Sequence, residues 1–151
     1  MPYEEIGAGL IRVRGRPDEN GMSNSSFIIL DEKVAIIDTG AKDELWKEVI
    51  EVIKKYGKNP KQHLKHILLT HEHPDHFGSA AELKNASGAE ISAHSAAAET
   101  LRDPSNLITK HFDFSEGSSA LTRKLKKVFG EVTAVNPDSI LVGGEKIELG
   151  L

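Results

Sequence analysis

Ile67-Leu68-Leu69-Thr70-His71-Glu72-His73-Pro74-Asp75-His76 joins a wholly apolar tripeptide to a dense set of ligand-type side chains. Consecutive large aliphatic residues with no polar alternation are what a strand buried on both faces requires. His71, His73, Asp75 and His76 then fall within six positions just beyond it. In an extended backbone His71, His73 and Asp75 point to one side, and Pro74 favours that form by disfavouring the α region at His73. Imidazole and carboxylate groups gathered at the end of a rigid element suit Zn²⁺, Fe or Mn. A lone histidine is more often a packing or surface residue. Four ligand-type residues this close together, behind a buried strand, have no comparably ordinary explanation.

Upstream, Phe27-Ile28-Ile29-Leu30 and Val34-Ala35-Ile36-Ile37 flank Asp31-Glu32-Lys33 and predict a hairpin of buried strands. Residues 6–13 predict one short strand, and the stretch from Arg14 to Ser26, with Gly15, Pro17, Asn20 and Gly21, predicts a loop. The clearest helix runs from Asp43 to Tyr56. Leu45, Val49, Val52, Ile53 and Tyr56 share one face, with Trp46 and Ile50 beside it. Asp43 and Glu44 suit its positive end, Lys54 and Lys55 its negative end, and Gly57 and Pro60 punctuate the stop.

Downstream, residues 77–86 read as a helix, Glu90 to Ala93 as a strand, and Ser95 to Arg102 as an Ala-rich helix broken by Asp103-Pro104-Ser105. A further helix is expected from about 117 to 129, then two strands, Ile140 to Val142 and Lys146 to Leu149, joined by Gly143-Gly144. Strands first, then alternating helices and strands, predict an α/β layered architecture.

The H-x-H-x-D-H run, behind an apolar strand and Thr70, resembles the metallo-β-lactamase superfamily. Val34 to Gly40 resembles that family's strand ending in an Asp-x-Gly turn, and Ile91-Ser92-Ala93-His94 its strand after the motif helix. The likeness runs along almost the whole chain. It implies a metallo-β-lactamase-type αββα sandwich, here incomplete: the first half plus cap helices. It implies that His71 and His73 are ligands of a first metal site, that Asp75 and His76 are ligands of a second, and that Asp38 supports the ligand loop from behind. The implied cofactor is zinc, two ions in the complete protein, with Fe or Mn as alternatives. The implied chemistry is metal-assisted hydrolysis, in which a bound metal lowers the pKa of water towards ~7. Asp75 would be the catalytic carboxylate, binding metal and orienting the nucleophile. A di-iron redox branch of the family is disfavoured because it carries a glutamate where His73 stands.

The resemblance also implies a third histidine, a bridging aspartate and a further histidine, beginning soon after a strand pair like that at Ser139 to Leu149. The chain ends at Leu151. The expectation is therefore a single metallo-β-lactamase-like domain over residues 1–151, truncated at its C-terminus and a poor catalyst alone. His63 and His66 precede the strand, His94 ends the next one, and His111 lies in an expected loop. Only His111 has the freedom to stand in for a missing ligand, and all four read more simply as surface or packing residues. Lost core contacts would expose an apolar edge, which makes a homo-oligomer an expectation.

Composition narrows the partners. With 38% hydrophobic and 28% charged residues the chain reads as globular, and its net charge of -4 argues against nucleic acid or a membrane surface as the general partner. Arg123-Lys124 and Lys126-Lys127 form a local basic stripe, most simply a solvated helix face. There are no cysteines, and the acidic start carries no apolar signal-peptide segment, which fits a cytoplasmic protein. The glycines match no phosphate-binding fingerprint, and Ser115, Ser118 and Ser119 lack a nucleophile-elbow setting. The leading expectation is a hydrolase of a small-molecule ester, thioester or lactone. A phosphodiesterase or RNA-processing nuclease of the same superfamily and a non-catalytic metal-binding module are the alternatives.

Overall fold

A row of five isoleucines explains the sheet. Ile11, Ile28, Ile36, Ile67 and Ile91 stand opposite one another in register across five neighbouring strands, and each is fully buried. Burying one such side chain contributes roughly 1.5–3 kcal/mol, so the row fixes both the strand order and the face that turns inward. The structure, a computed structural model, describes residues 3–17, 23–42, 44–107 and 131–150, together with positions 120, 123 and 127.

The strands are β1 (Tyr3–Gly7), β2 (Leu10–Arg14), β3 (Ser25–Leu30), β4 (Val34–Ile37), β5 (Leu64–Leu69), β6 (Glu90–His94) and β7 (Ser139–Leu141). They form one sheet in sequential order. β1 to β4 are an antiparallel meander, and β4 to β7 pair in parallel. Parallel neighbours need crossovers. These carry the helices α1 (Leu45–Lys55), α2 (Pro60–His63), α3 (Pro74–Phe77), α4 (Ala80–Ser87) and α5 (Ser95–Arg102). Leu45, Val49, Val52 and Ile53 of α1, Leu83 of α4 and Leu101 of α5 join the core with the isoleucine row. On the other face of the sheet Leu10, Phe27, Ile29 and Leu68 are only half-buried. The architecture is the expected α/β one, with one sheet and its helical layer supplied by the described residues.

Several expectations need correction. Residues 6–13 are not one strand: a turn at Ala8-Gly9 divides β1 from β2. Glu4 and Glu5 hide β1 from a search for apolar runs, because it lies at the edge of the sheet and pairs its charge with Arg12 and Arg14 instead of burying it. The loop after β2 is shorter than Arg14 to Ser26, since those two residues belong to β2 and β3. Asp43 lies outside the described residues, and Tyr56 is exposed, its hydroxyl donating to Glu5. β5 begins at Leu64, so His66 lies within the strand, not ahead of it. Lys146 to Leu149 forms no strand. A strand needs a neighbour to ladder with, and this segment shows a single backbone bond to the sheet region, Lys33 N–H to Leu149 O at 2.6 Å. Of the expected helix at 117–129 only Ala120, Arg123 and Lys127 are described, all helical and exposed; the rest of it, Lys124 and Lys126 of the basic stripe, and His111 lie outside the described residues.

Candidate metal centre

The centre is built where β4 and β5 end side by side. The parallel register sets Ile37 against Leu68, so the next residues, Asp38 and the Leu69-Thr70 step, leave the sheet together. Asp38 N–H donates to Leu68 O at 2.9 Å, and Asp38 turns off the strand at φ 56. Left-handed backbone is uncommon for a side-chain-bearing residue, and aspartate tolerates it better than most. The turn continues through Gly40 at φ 73, where a Cβ would run into the Leu45 side chain. The result is a carboxylate, 5% exposed, pointing along the end of β5.

That carboxylate collects three donors. Thr70 N–H reaches Oδ1 at 2.9 Å, the Thr70 hydroxyl reaches Oδ2 at 2.8 Å, and His76 Nδ1 lies 2.7 Å from Oδ2. Asp38 therefore contacts two residues of the histidine loop directly, Thr70 and His76. His73 keeps extended backbone at ψ 143, as Pro74 demands. Asp75 and His76 do not: Pro74 opens the short helix α3, as proline favours at a first helical position. Alternation therefore fails beyond His73, and His76 swings back towards His71.

The three rings touch. The centroids of His71 and His73 are 4.6 Å apart, and those of His71 and His76 are 3.9 Å apart. Asp75 Oδ2 lies 3.6 Å from His76 Nε2. Burial, reinforced by the neighbouring His76 and His73, holds the His71 pKa below its ordinary value, which favours the neutral, ligand-competent imidazole. As placed, though, among the described residues no three histidine or carboxylate side chains close around a point that could hold a metal ion. The donor set suits zinc in its chemistry, while the rings pack on one another instead of aiming at one point. His76 is the clearest case, with Nδ1 on Asp38 and the Asn24 amide 2.7 Å from Nε2.

Two further supports were not foreseen. Asn24 lies 52 residues from His76 in sequence, in a stretch readable only as loop, and nothing local signals the contact. Thr39 braces α3 from behind: its N–H donates to His76 O at 2.7 Å, and its hydroxyl accepts from Ser79 N–H at 3.3 Å. Of the remaining histidines, His63 sits beside Asn59 in α2, and His94 accepts from Ala96 N–H at the start of α5. Both make local structural bonds.

Comparison with known proteins places this geometry. The family model described as the metallo-beta-lactamase superfamily matches residues 18–147. The hydroxyacylglutathione hydrolase GloC of Haemophilus influenzae is 45% identical over 69 residues, 45% of this chain and 29% of that protein. The solved metallo-beta-lactamase GOB-18 from Elizabethkingia meningoseptica superposes with a TM-score of 0.71 at 25% identity, covering 99% of this chain and 48% of that one. MIM-1 from Novosphingobium pentaromativorans superposes with a TM-score of 0.64 at 26% identity, covering 98% and 47%. The chain thus spans about half the length of these solved relatives. No helix among the described residues is long and apolar enough to cross a membrane. With a family match over most of its length and a sheet that superposes on solved members, the chain belongs to the metallo-beta-lactamase superfamily.

Proposed function

We propose that this chain carries the histidine-rich part of the centre of a zinc-dependent hydrolase acting on a small-molecule thioester, ester or lactone. The observation that supports this most directly is the His71 ring in contact with the rings of both His73 and His76 at the end of a buried strand, with His76 held by one buried carboxylate. His71, His73, Asp75 and His76 are the proposed ligands, with Asp38 behind them. Zinc, when bound, supplies an electrophile and lowers the pKa of water. The chain's own residues do the rest. His71 offers a neutral ring, Asp38 holds the loop, and the Asp75 carboxylate, half-buried beside His76, is placed to orient a nucleophile and accept its proton. Closing the centre requires His76 to leave the Asn24 amide while keeping its bond to Asp38.

The name of the Haemophilus influenzae relative favours a thioester substrate, and the net charge of -4 disfavours a polyanionic one. A cytoplasmic location fits the absence of cysteines. Calorimetric titration with zinc tests the ligand set: binding of micromolar strength or weaker is expected, abolished in the His71→Ala/His73→Ala variant. Equal binding by that variant would refute the assignment. Assay of a hydroxyacylglutathione thioester beside bis-nitrophenyl phosphate separates thioesterase from phosphodiesterase, and zinc binding with no turnover of either favours a non-catalytic module.

A further inference from the structure

We propose that Thr70 is a positioning residue, its hydroxyl relaying Asp38 to His71 so that one carboxylate sets the tautomers of two histidines. The inference rests on the metal-centre reading above and names how that centre is prepared.

Thr70 Oγ1 lies 2.8 Å from Asp38 Oδ2 and 3.0 Å from His71 Nδ1. A hydroxyl has one proton and two lone pairs, whereas an ionised carboxylate only accepts. The Thr70 proton therefore goes to Asp38, and the hydroxyl oxygen can meet His71 only as an acceptor. That requires the proton of the neutral His71 ring to sit on Nδ1. The same Asp38 oxygen faces His76 Nδ1 at 2.7 Å and favours the same tautomer there, the Asn24 amide nitrogen, 2.9 Å from Nδ1 and 2.7 Å from Nε2, then donating to Nε2. Both rings then present Nε2 as the lone-pair nitrogen. The second Asp38 oxygen accepts Thr70 N–H at 2.9 Å, which fixes the backbone carrying the relay. Fixing a ligand's tautomer through its other ring nitrogen is a known means of tuning metal affinity, and here a single buried acid serves two rings, one of them through an alcohol.

A threonine that merely satisfies a buried carboxylate would not control His71, and ring-nitrogen NMR separates the two roles. In metal-free protein above pH 7.5, both His71 and His76 are expected to show protonated Nδ1. Thr70→Val removes the hydroxyl while keeping the side chain's shape. It should shift His71 towards a mixture of tautomers and leave His76 unchanged, and Thr70→Ser should restore the parent pattern. Zinc alone, titrated calorimetrically, should bind about tenfold or more weakly to Thr70→Val and near the parent value to Thr70→Ser. A parent spectrum with His71 protonated on Nε2 overturns the relay without any variant having to fold. So does a folded Thr70→Val protein whose His71 tautomer is unmoved. A tautomer that responds in a protein that binds no zinc upholds the relay and refutes the metal-centre reading instead.

Discussion

Gly78→Ala should cost about 3 kcal/mol of stability although the backbone at that position would accept any residue. Gly78 sits at φ -56, ψ -29, ordinary right-handed helical space, so no conformational penalty attaches to a side chain there. The obstacle is contact. A Cβ would lie 2.5 Å from Pro74 O, 2.6 Å from Ala41 C and closer still to Lys42 N. All three are backbone atoms, and comfortable separations are ~3.5–4.0 Å. Relief requires the turn after α3 to move about 1 Å from the segment leaving β4. That movement breaks or stretches Thr39 N–H to His76 O at 2.7 Å, Thr39 hydroxyl to His76 O at 3.2 Å and Ser79 hydroxyl to Ala41 O at 2.8 Å. At about 1 kcal/mol for each bond the loss is about 3 kcal/mol, which agrees with the ~1–3 kcal/mol typical of overpacking. Urea unfolding of the metal-free protein, followed by circular dichroism, measures it directly. With a slope of about 1–3 kcal/mol/M the midpoint should fall by roughly 1–3 M. A variant within about 0.5 kcal/mol of the parent would show that the two segments are not held at this separation, and the account of how His76 is placed would fall with it.

Three other outcomes are expected. Asp38→Ala strands the Thr70 N–H, the Thr70 hydroxyl and the His76 ring, and puts alanine at φ 56; a loss of about 3–5 kcal/mol in urea unfolding is expected, and a loss under about 1 kcal/mol would mean that solvent replaces the carboxylate freely. Asp138 accepts Lys84 Nζ at 2.6 Å and Ile91 N–H at 2.8 Å, and although burial pushes its pKa up, the Lys84 bond and the Ile91 amide outweigh it and leave the pKa below the ordinary 3.8. Asp138→Ala should cost about 1–2 kcal/mol, the ion pair being discounted for its exposure, and because a depressed acid stabilises only while ionised, the gap from the parent should be full above pH 3.8 and close as pH falls through the lowered folded value. The His71 pKa is lowered chiefly by burial, so the unfolded chain binds that proton more readily; in chelator, stability should be level above pH 6.5 and fall as pH drops below it, with the slope reduced in His71→Gln. Equal slopes for the two proteins would contradict the burial argument.

How much of this was legible in the sequence follows from the range of the forces involved. Ile67-Leu68-Leu69, the hairpin around Asp31-Glu32-Lys33 and the stripe of Leu45, Val49, Val52 and Ile53 were readable because burial writes itself into local periodicity. Ser95 to Arg102 emerged with its predicted bounds, since Asp103-Pro104 ends a helix by local sterics. What escaped notice depends on partners distant in the chain. β1 exists as a strand because β2 lies beside it, and its glutamates give no apolar signal. Asn24 and Gly78 matter for what the fold brings against them: the His76 ring for one, the Ala41-Lys42 backbone for the other. Within the motif the histidines are evident by type, while Pro74 signals directly only its constraint on His73, and its place as the start of α3 depends on the fold around it.

The site and the sheet are specified by the same register. Ile36 opposite Ile67 puts both in the core, and two steps on this register delivers Asp38 beside the end of β5, where Thr70 and His76 meet it. A one-residue slip between β4 and β5 would turn the isoleucine row to the wrong face and carry the carboxylate ~3.3 Å along the strand, beyond hydrogen-bond reach of at least one of its three donors. The core therefore selects the one pairing in which the donors and their acceptor coincide. Glycine would relieve the left-handed backbone at position 38, a strain of about 1 kcal/mol. It would also leave the histidine loop with no acceptor, so the conformational cost is the smaller of the two and aspartate is the residue the geometry requires.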